Sequence, residues 1–355
     1  MSDIAVFCSS YFPNPVGGGE RTAKWIVDYL KKTFNPTIYS FGDVYKRYEW
    51  DGVPIVQLKT PSLARTSARP YALSQRLVKE GQKHDLIYCH GLSGPHAISA
   101  AVASLTSKTK LVYHTHSSFM GRESAKHRYL LRPLIRAETA IADSVIFVSN
   151  LEKKELVTRG YISDSGEIVI ENGVTHVDVD SEKFEALLDD RVNHSVSEYI
   201  LSVGDVTPEK GQEKTVNALK EIPQVDYILI GEVKRDPIHV AEQHGVEDRV
   251  HVLGPLSYEL TRSAMAGASC LMHISDWESY GLVVAEALAE GTPCVVTDNC
   301  GVASLIENGE NGYIVGHDSD ISEIVKKCAN VNPSPKFRSW KDVASEVSHE
   351  LNQQL

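Results

Sequence analysis

Several features that mark other classes of protein are missing from this sequence. No segment approaches the roughly 18 consecutive apolar residues of a transmembrane helix, so none is expected to span a membrane. The N-terminus carries an acid, Asp3, and lacks a basic leader, so we expect no secretory signal peptide. The six cysteines show no CxxC pair and no spacing typical of a disulfide framework, which favours reduced, buried thiols in a cytoplasmic protein.

The composition is that of a globular protein whose charge is unevenly spread. The chain has 355 residues, of which 42% are hydrophobic and 23% charged, enough for two domains of ordinary size. Residues 1–150 contain 19 Lys and Arg against 11 Asp and Glu, whereas residues 151–355 contain 17 against 36. This asymmetry predicts that the N-terminal half meets an anionic partner.

Short apolar runs alternate with helix-length amphipathic segments along the whole chain. The runs fall into two series of six, from IAVFC at 4–8 to EIVIENG at 167–173, and from YILSVG at 199–204 to YIVG at 313–316. Near-continuous apolar runs of this kind predict parallel strands that are covered by helices on both faces. The fold class is therefore α/β.

The two series predict two doubly wound, Rossmann-like domains that face each other across a cleft. We expect an N-terminal domain over 1–178, a C-terminal domain over 198–333, and a helix over 334–355 that returns to the N-terminal domain. Open parallel sheets bind ligands beyond the carboxyl ends of their strands. The chemistry is therefore expected in the loops that follow the strands.

Two of these loops have glycines in front of a predicted helix. Gly17, Gly18 and Gly19 follow the first strand, and Lys210 with Gly211 follows the strand YILSVG. Backbone N–H groups at a helix N-terminus attract an anion such as a phosphate, and a lysine there can reach the same anion. The spacing is not GxGxxG, and a plain turn in the first loop or a solvated turn in the second is the alternative interpretation.

Two glutamates lie in the apolar segment ISDWESYGLVVAEALAEGTPCVVTDNCG. A helix is predicted from near Gly281 to just before Gly291, and it is apolar on all sides except at Glu286. Burying an unpaired carboxylate costs several kcal/mol, so Glu286 needs donors, either the diol of a ribose or an Arg or Lys of a neighbouring helix. Glu278 precedes it by eight residues, about 12 Å of helix, which is too long for the carboxylate pair of a glycoside hydrolase.

The spacing from Glu278 to Glu286 resembles the EX7E motif of retaining glycosyltransferases of family 4. Further segments that match this family occur in its order over nearly the whole chain: GGGER at 17–21, IYCHG at 87–91, VIFVSN at 145–150, IENGV at 170–174, SVGDVTPEKG at 202–211, ILIGE at 228–232, VHVLGPL at 250–256 and ENGENGYIV at 307–315. The resemblance implies the GT-B architecture and a nucleotide-sugar donor.

The resemblance also implies roles for single residues. Glu286 would bind the ribose hydroxyls of the donor, Glu278 would lie near the donor sugar and its phosphate, and Lys210 would pair with the diphosphate. The further donor contacts that the resemblance implies are backbone amides at the start of the helix and residues near the diphosphate or the base: Gly281, Leu282 and Val283, and Gly17, Gly18, Gly204, Gly231 and Leu256.

A histidine near the reacting sugar is also implied by the resemblance. The stretch KLVYHTHSSF offers His114 and His116, and the position relative to the strand favours His116. From the alternation of side chains along a strand, we expect only one of the two to face the cleft. We expect no metal or cofactor, because lysine, arginine and a helix N-terminus neutralise the leaving group in the family. A metal site formed by His114 and His116 with His90 is the alternative.

One position departs from the family's pattern. Where the pattern G-R-x-x-x-x-K-G has an arginine, this chain has Asp205 after Gly204. An acid beside a diphosphate would weaken donor binding by about 1–3 kcal/mol. Either another cation substitutes, or Asp205 points to solvent, or the use of the donor is altered.

The reaction implied by the resemblance is transfer of a sugar to a hydroxyl with retention of the anomeric configuration. In front-face attack the departing phosphate oxygen helps to deprotonate the acceptor, and His116, Glu278 and Lys210 are the expected catalytic residues. UDP is favoured over GDP as the nucleotide. Two rival functions are a sugar-nucleotide 2-epimerase of the same architecture and a non-catalytic scaffold subunit that binds a nucleotide-sugar.

The acceptor is expected to bind the N-terminal half. The segment 120–138 is basic and amphipathic, which predicts peripheral contact with an anionic membrane, although a solvated basic face on an ordinary helix is the alternative. A glycan, glycolipid or lipid-linked acceptor is therefore expected, and no nucleic acid.

Overall fold

The computed structural model describes residues 1–9, 18–65, 72–117, 127–163, 168–316, 319–335 and 337–355. The chain divides into two compact α/β units, which we call the N-unit (1–173 with 339–355) and the C-unit (174–338). None of the helices formed by the described residues is long and apolar enough to cross a membrane.

The N-unit is built on a mostly parallel sheet. Its strands are β1 (Asp3–Phe7), β2 (Asn35–Gly42), β3 (Lys46–Trp50), β4 (Val53–Lys59), β5 (Leu86–His90), β6 (Lys110–His114), β7 (Ser144–Phe147) and β8 (Ile168–Val169). Their order across the sheet is β3-β4-β2-β1-β5-β6-β7-β8, and β3 runs antiparallel to β4. Every residue of β5 is buried, as expected for a central strand of a parallel sheet.

Helices connect the parallel strands of the N-unit. They are α1 (Gly18–Leu30), α2 (Gln75–Gly81), α3 (Pro95–Leu105), α4 (Arg132–Ile141) and α5 (Asn150–Thr158). Side-chain caps fix where some of them begin: the Ser149 hydroxyl accepts a hydrogen bond of 3.0 Å from the backbone N–H of Glu152 at the start of α5.

The C-unit is built on an all-parallel sheet. Its strands are β9 (Tyr199–Val203), β10 (Asp226–Ile230), β11 (Val250–Gly254), β12 (Cys270–His273), β13 (Cys294–Thr297) and β14 (Gly312–Val315). Its helices are α6 (Ser181–Arg191), α7 (Gln212–Ala218), α8 (Ile238–His244), α9 (Tyr258–Gly267), α10 (Leu282–Ala289) and α11 (Ile321–Cys328). The strand order is β11-β10-β9-β12-β13-β14, so the direction of winding reverses between β9 and β12.

The chain returns to the N-unit in its last helix, α12 (Trp340–Gln354), which packs against α1. Its apolar face is fully buried at Val343, Val347 and Leu351. The start of α12 also lies against Gly173, where a Cβ atom would stand 2.7 Å from the backbone nitrogen of Trp340. Glycine is therefore the residue that lets these two backbone segments approach so closely.

We predict that Gly173→Ala destabilises the protein by about 1–3 kcal/mol, because its methyl group would push the start of α12 away. Thermal unfolding measures the change, as a fall of a few degrees in the midpoint. Gly316→Ala is the matched control, since a Cβ atom there would meet nothing within 4 Å. Equal midpoints for the two variants would contradict the packing described here.

Candidate functional site

The loops that follow β9 and β12 leave neighbouring strands of the C-unit. Leu201 in β9 is paired in parallel with Leu271 in β12, so both loops emerge at the same edge of the sheet. In parallel sheets a reversal of strand order, as found here between β9 and β12, leaves room for a ligand at the carboxyl edge. The first loop contains Lys210 and the second contains Glu278.

Gly211 holds the two loops together. Its backbone is left-handed, with φ of +74°, and a Cβ atom would stand only 2.4 Å from the carbonyl oxygen of Ile274, directly after β12. The N–H of Asp276 in turn donates a hydrogen bond of 2.9 Å to the carbonyl of Glu209. Both constraints place Lys210, which ends the short 3₁₀ turn Pro208–Lys210, beside the second loop.

Lys210 and Glu278 form an ion pair between their Nζ and Oε2 atoms. The carboxylate of Glu278 is only 24% exposed, and the Nε2 atom of His273 lies 3.6 Å from the same oxygen. Burial raises the pKa of Glu278, but His273 and Lys210 together lower it by more, to about 2. Glu278 is therefore a carboxylate across the physiological pH range.

The helix α10 begins directly after this ion pair. Gly281 caps it with φ of +99°, and a Cβ atom at this position would stand 2.6 Å from the Cys300 sulfur. The N–H of Gly301 donates to the carbonyl of Glu278 over 3.0 Å, which fixes the entry into the helix. Because the first N–H groups of a helix have no acceptor within it, those of Leu282 and Val283 provide the positive end of α10 beside Lys210.

Glu286 lies inside α10 and is 4% exposed. Its Oε1 atom accepts a hydrogen bond of 3.0 Å from the hydroxyl of Tyr258 in α9. Burial and the charge of Glu286 raise the pKa of Tyr258, so the hydroxyl stays protonated and remains a donor. The Tyr258 hydroxyl is a partner that the sequence did not predict for Glu286, and the expected contact with a ribose diol stays a prediction.

The tyrosine is held by an arginine, and neither residue was found from the sequence. Arg262 is 1% exposed and donates a hydrogen bond of 2.9 Å to the Tyr258 hydroxyl, while its other terminal nitrogen pairs with Glu290. Tyr258 and Arg262 are four residues apart on α9, a spacing that places both on one face of the helix. That spacing was the available signal, but it does not show that the face meets Glu286.

The predicted glycines also lie at strand ends of the C-unit. Gly204 and Gly231 follow β9 and β10 with φ of +125° and +149°, and a Cβ atom on Gly231 would stand 2.0 Å from the Gly204 carbonyl oxygen. Leu256 follows β11 and is half-buried. These residues therefore share the carboxyl edge of the sheet with Lys210 and Glu278.

Asp205, which departs from the family's pattern, forms an ion pair with Lys234. Its Oδ2 atom lies 2.5 Å from the Lys234 ammonium nitrogen, and both side chains are about half exposed. Its backbone carbonyl accepts a hydrogen bond of 3.1 Å from the side chain of Gln212. The negative charge of Asp205 thus has a cation beside it in this structure.

In the N-unit, three histidines gather at the carboxyl ends of β5 and β6. The ring centroids of His114 and His116 are 4.8 Å apart. The ring centroid of His90 lies 5.4 Å from that of His114 and 5.6 Å from that of His116. The expectation that His114 and His116 face opposite ways was wrong, because residues two apart on a strand share a face. Burial lowers the pKa of His116 to about 4 and those of the other two further below their usual value, so the rings are neutral at pH 7.

A buried carboxylate positions the end of β6. Glu152 in α5 is 0% exposed and accepts hydrogen bonds from the Thr115 hydroxyl (2.5 Å) and from the backbone N–H groups of Ser117 (2.7 Å) and Val148 (3.1 Å). It therefore fixes the residues on either side of His116. No pattern in the sequence pointed to Glu152.

Two predicted features fall wholly or in part outside the described residues. Gly17 lies outside them, whereas Gly18 is the first residue of α1. Of the basic segment 120–138, only the part from residue 127 onward is described, as a π-helical turn and the start of α4. Ile135 is buried in the core there, while Tyr129 is 72% exposed.

Comparisons with known proteins connect these features to a family. A family model for glycosyltransferase family 4 matches residues 16–177, and a model for glycosyl transferases group 1 matches residues 186–339. The GPI3 subunit of phosphatidylinositol N-acetylglucosaminyltransferase from Saccharomyces cerevisiae is 23% identical over 97% of this chain and 81% of its own length.

Solved structures resemble the fold over its whole length. Anabaena Alr3699/HepE in complex with UDP and glucose has a TM-score of 0.75 at 20% identity, covering 99% of this chain and all of the other. WaaG, a glycosyltransferase involved in lipopolysaccharide biosynthesis, has a TM-score of 0.69 at 18% identity, covering 99% and 95%. The predicted GT-B fold with two Rossmann-like units is thereby confirmed, and with both family models matching, the chain belongs to the glycosyltransferases of family 4.

Proposed function

We propose that this glycosyltransferase moves a sugar from a nucleoside-diphosphate sugar to an acceptor hydroxyl with retention of the anomeric configuration. UDP is the favoured nucleotide and GDP the second choice. The reaction forms the bond from the acceptor oxygen to the anomeric carbon, breaks the bond from that carbon to the phosphate oxygen, and passes the hydroxyl proton to the leaving phosphate.

The observation that carries this proposal is the group formed by Lys210, Glu278 and the start of α10. A fixed cation and a helix N-terminus lie together beyond the carboxyl ends of β9 and β12, where a diphosphate would be attracted to both. The bound nucleotides of a structural relative support the choice of ligand, since HepE was solved with UDP and glucose and with UDP-glucose.

The proposed mechanism is mainly electrostatic. Lys210 has three N–H donors, so it can keep Glu278 as a partner and still donate to a diphosphate oxygen. As the glycosidic bond breaks, negative charge builds up on that diphosphate, and the ammonium group and the first N–H groups of α10 stabilise it. Glu278, with a pKa of about 2, remains an acceptor for hydroxyls of the donor sugar.

The remaining donor contacts follow from the same placement. Glu286 accepts hydrogen bonds from the ribose hydroxyls in addition to the one from Tyr258. The base lies at the carboxyl edge of the sheet, against Gly204, Gly231 and Leu256. Lys234 offsets the negative charge of Asp205, so the donor meets an ion pair rather than an isolated acid where the family has an arginine. With Lys210 and the N-terminus of α10 as the positive groups, the proposed chemistry needs no metal.

On the acceptor side, His116 is the proposed contact with the reacting sugar. Its pKa of about 4 leaves it neutral, so it can exchange hydrogen bonds with a hydroxyl without adding charge. A lipid-linked or glycolipid acceptor, brought by peripheral contact of 120–138 with an anionic membrane, agrees with two relatives, one named for phosphatidylinositol and one for lipopolysaccharide biosynthesis.

The function is tested by nucleoside-diphosphate release from a panel of UDP- and GDP-sugars, with and without phosphatidylinositol vesicles or sugar acceptors. We expect release that depends on both one donor and an acceptor, with a product of retained configuration by NMR. A donor converted to its 2-epimer without acceptor would identify an epimerase instead. Donor binding without any turnover would favour the scaffold function.

We predict that Lys210→Ala lowers kcat/KM by about 100- to 1000-fold, because the leaving diphosphate loses its cation. Steady-state kinetics with saturating acceptor measure the effect. Lys214→Ala is the matched control: this lysine is four residues away, half exposed, and pairs with Asp276 at 3.3 Å. Removing an exposed pair of this kind should change the rate by no more than about twofold. Equal losses in the two variants would contradict the role given to Lys210.

A further inference from the structure

The three histidines of the N-unit, His90, His114 and His116, form what we call the histidine cluster. Parallel pairing places His90 and His114 directly opposite each other as the last residues of β5 and β6. His116 lies two residues beyond His114 and therefore on the same face. The three rings meet because of this register and spacing, and their candidate ligand nitrogens all lie within 4.8 Å of one another.

The polar atoms of this cluster have few partners. His114 is bonded through Nδ1 to the Tyr88 hydroxyl at 2.6 Å. Its Nε2 atom, the Nε2 atom of His116 and both ring nitrogens of His90 are buried and have no hydrogen-bond partner among the described residues. A buried polar atom without a partner is destabilising, and one nitrogen atom from each of the three rings lies within 4.8 Å of the others, so a single shared ligand could satisfy all three rings.

We propose that the histidine cluster binds a zinc ion. Imidazole nitrogens suit zinc and related transition metals, whereas calcium and magnesium require oxygen ligands. Tetrahedral coordination at about 2.0–2.1 Å needs nitrogen atoms about 3.3 Å apart, so binding would draw the three rings together from their present separation of up to 4.8 Å. Three imidazoles leave a fourth position for water or another oxygen ligand.

In such a site Tyr88 would orient one of the metal ligands, His114, through a hydrogen bond to its other ring nitrogen. Histidines that bind a metal through one ring nitrogen usually donate a hydrogen bond from the other, which fixes the tautomer. With His114 Nδ1–H donating to the Tyr88 oxygen at 2.6 Å, its Nε2 atom is left as the ligand. Tyr88 is completely buried, so this bond is shielded from water.

A second group of possible metal ligands, in the C-unit, lacks this property. His194 and His251 both place Nε2 close to the Oδ1 atom of Asp226, at 3.0 and 2.6 Å. These atoms satisfy one another by hydrogen bonds, so nothing in that group requires an ion. The proposal therefore rests on the ring nitrogens of the histidine cluster that have no partner among the described residues, and not on the number of histidines.

Zinc binding goes beyond the proposed transfer reaction and does not depend on it. His116 takes part in both proposals, and a histidine that binds zinc is not free to contact a sugar. Added zinc is therefore expected to lower any transferase activity, and a chelator is expected to restore it. The site itself is tested without donor or acceptor.

The experiment is a zinc titration of the full chain after treatment with a chelator, followed by calorimetry and elemental analysis. We expect one ion per chain, and cobalt in its place should give the visible absorption of a tetrahedral site. His90→Ala should weaken binding by about 100-fold or more, and Tyr88→Phe by about 10- to 100-fold, as is usual for the loss of a partner that orients a ligand. His176→Ala is the control, because this side chain is 82% exposed and lies in the C-unit.

The proposal is overturned if the wild type binds no stoichiometric zinc, or if His90→Ala and His176→Ala bind it equally well. Circular dichroism verifies that each variant is folded, and His90→Gln replaces His90→Ala if the latter unfolds. Loss of transfer activity in the panel experiment with zinc binding intact would count against the proposed function alone. The two proposals can therefore fail separately.

Discussion

The close approach of Gly211 to the carbonyl of Ile274 is the contact on which the candidate donor site depends. It joins the loop after β9 to the loop after β12, and any side chain at Gly211 would separate them. Only while the loops are joined can Lys210 reach Glu278, and only then does a cation stand at the start of α10. Gly281 adds a second requirement of the same kind, since its left-handed backbone lets the chain turn from Glu278 into the helix.

The two units provide different electrostatic environments. Residues 151–355 carry an excess of acidic residues, yet the proposed ligand of the C-unit is an anion. Local geometry resolves this conflict, because Lys210 lies beside the start of α10, and the carboxylates of Glu278 and Asp205 are each paired with a lysine. The corresponding edge of the N-unit is instead lined by neutral, buried histidines, an environment suited to hydroxyl groups or to a metal rather than to a second diphosphate.

Much of the fold follows from the sequence because parallel strands that are covered on both faces must be apolar throughout. The β3–β4 hairpin was not among the predicted strands, since β3 is exposed and β4 contains Pro54. In the site, Lys210, Gly211 and the two glutamates were predictable from local pattern, whereas Gly204, Gly231 and Gly281 were implied by the family resemblance. The bond from Tyr258 to Glu286, the pair of Asp205 with Lys234 and the contacts of Glu152 were not, because each joins residues far apart in the chain. The error over His114 and His116 was one of periodicity, which the sequence itself could have corrected.

Binding of UDP to the wild type and to Glu286→Gln, measured by calorimetry, tests whether α10 and its neighbouring loops form the donor site. Glu286 is buried within α10 and is assigned to the ribose, so loss of its charge should weaken UDP binding about tenfold or more, as is usual for hydrogen bonds to a charged group. Glu310→Gln, at an exposed position of the same unit, should bind UDP as the wild type does. Equal affinity of all three proteins for UDP would contradict a donor site built on α10 and its neighbouring loops.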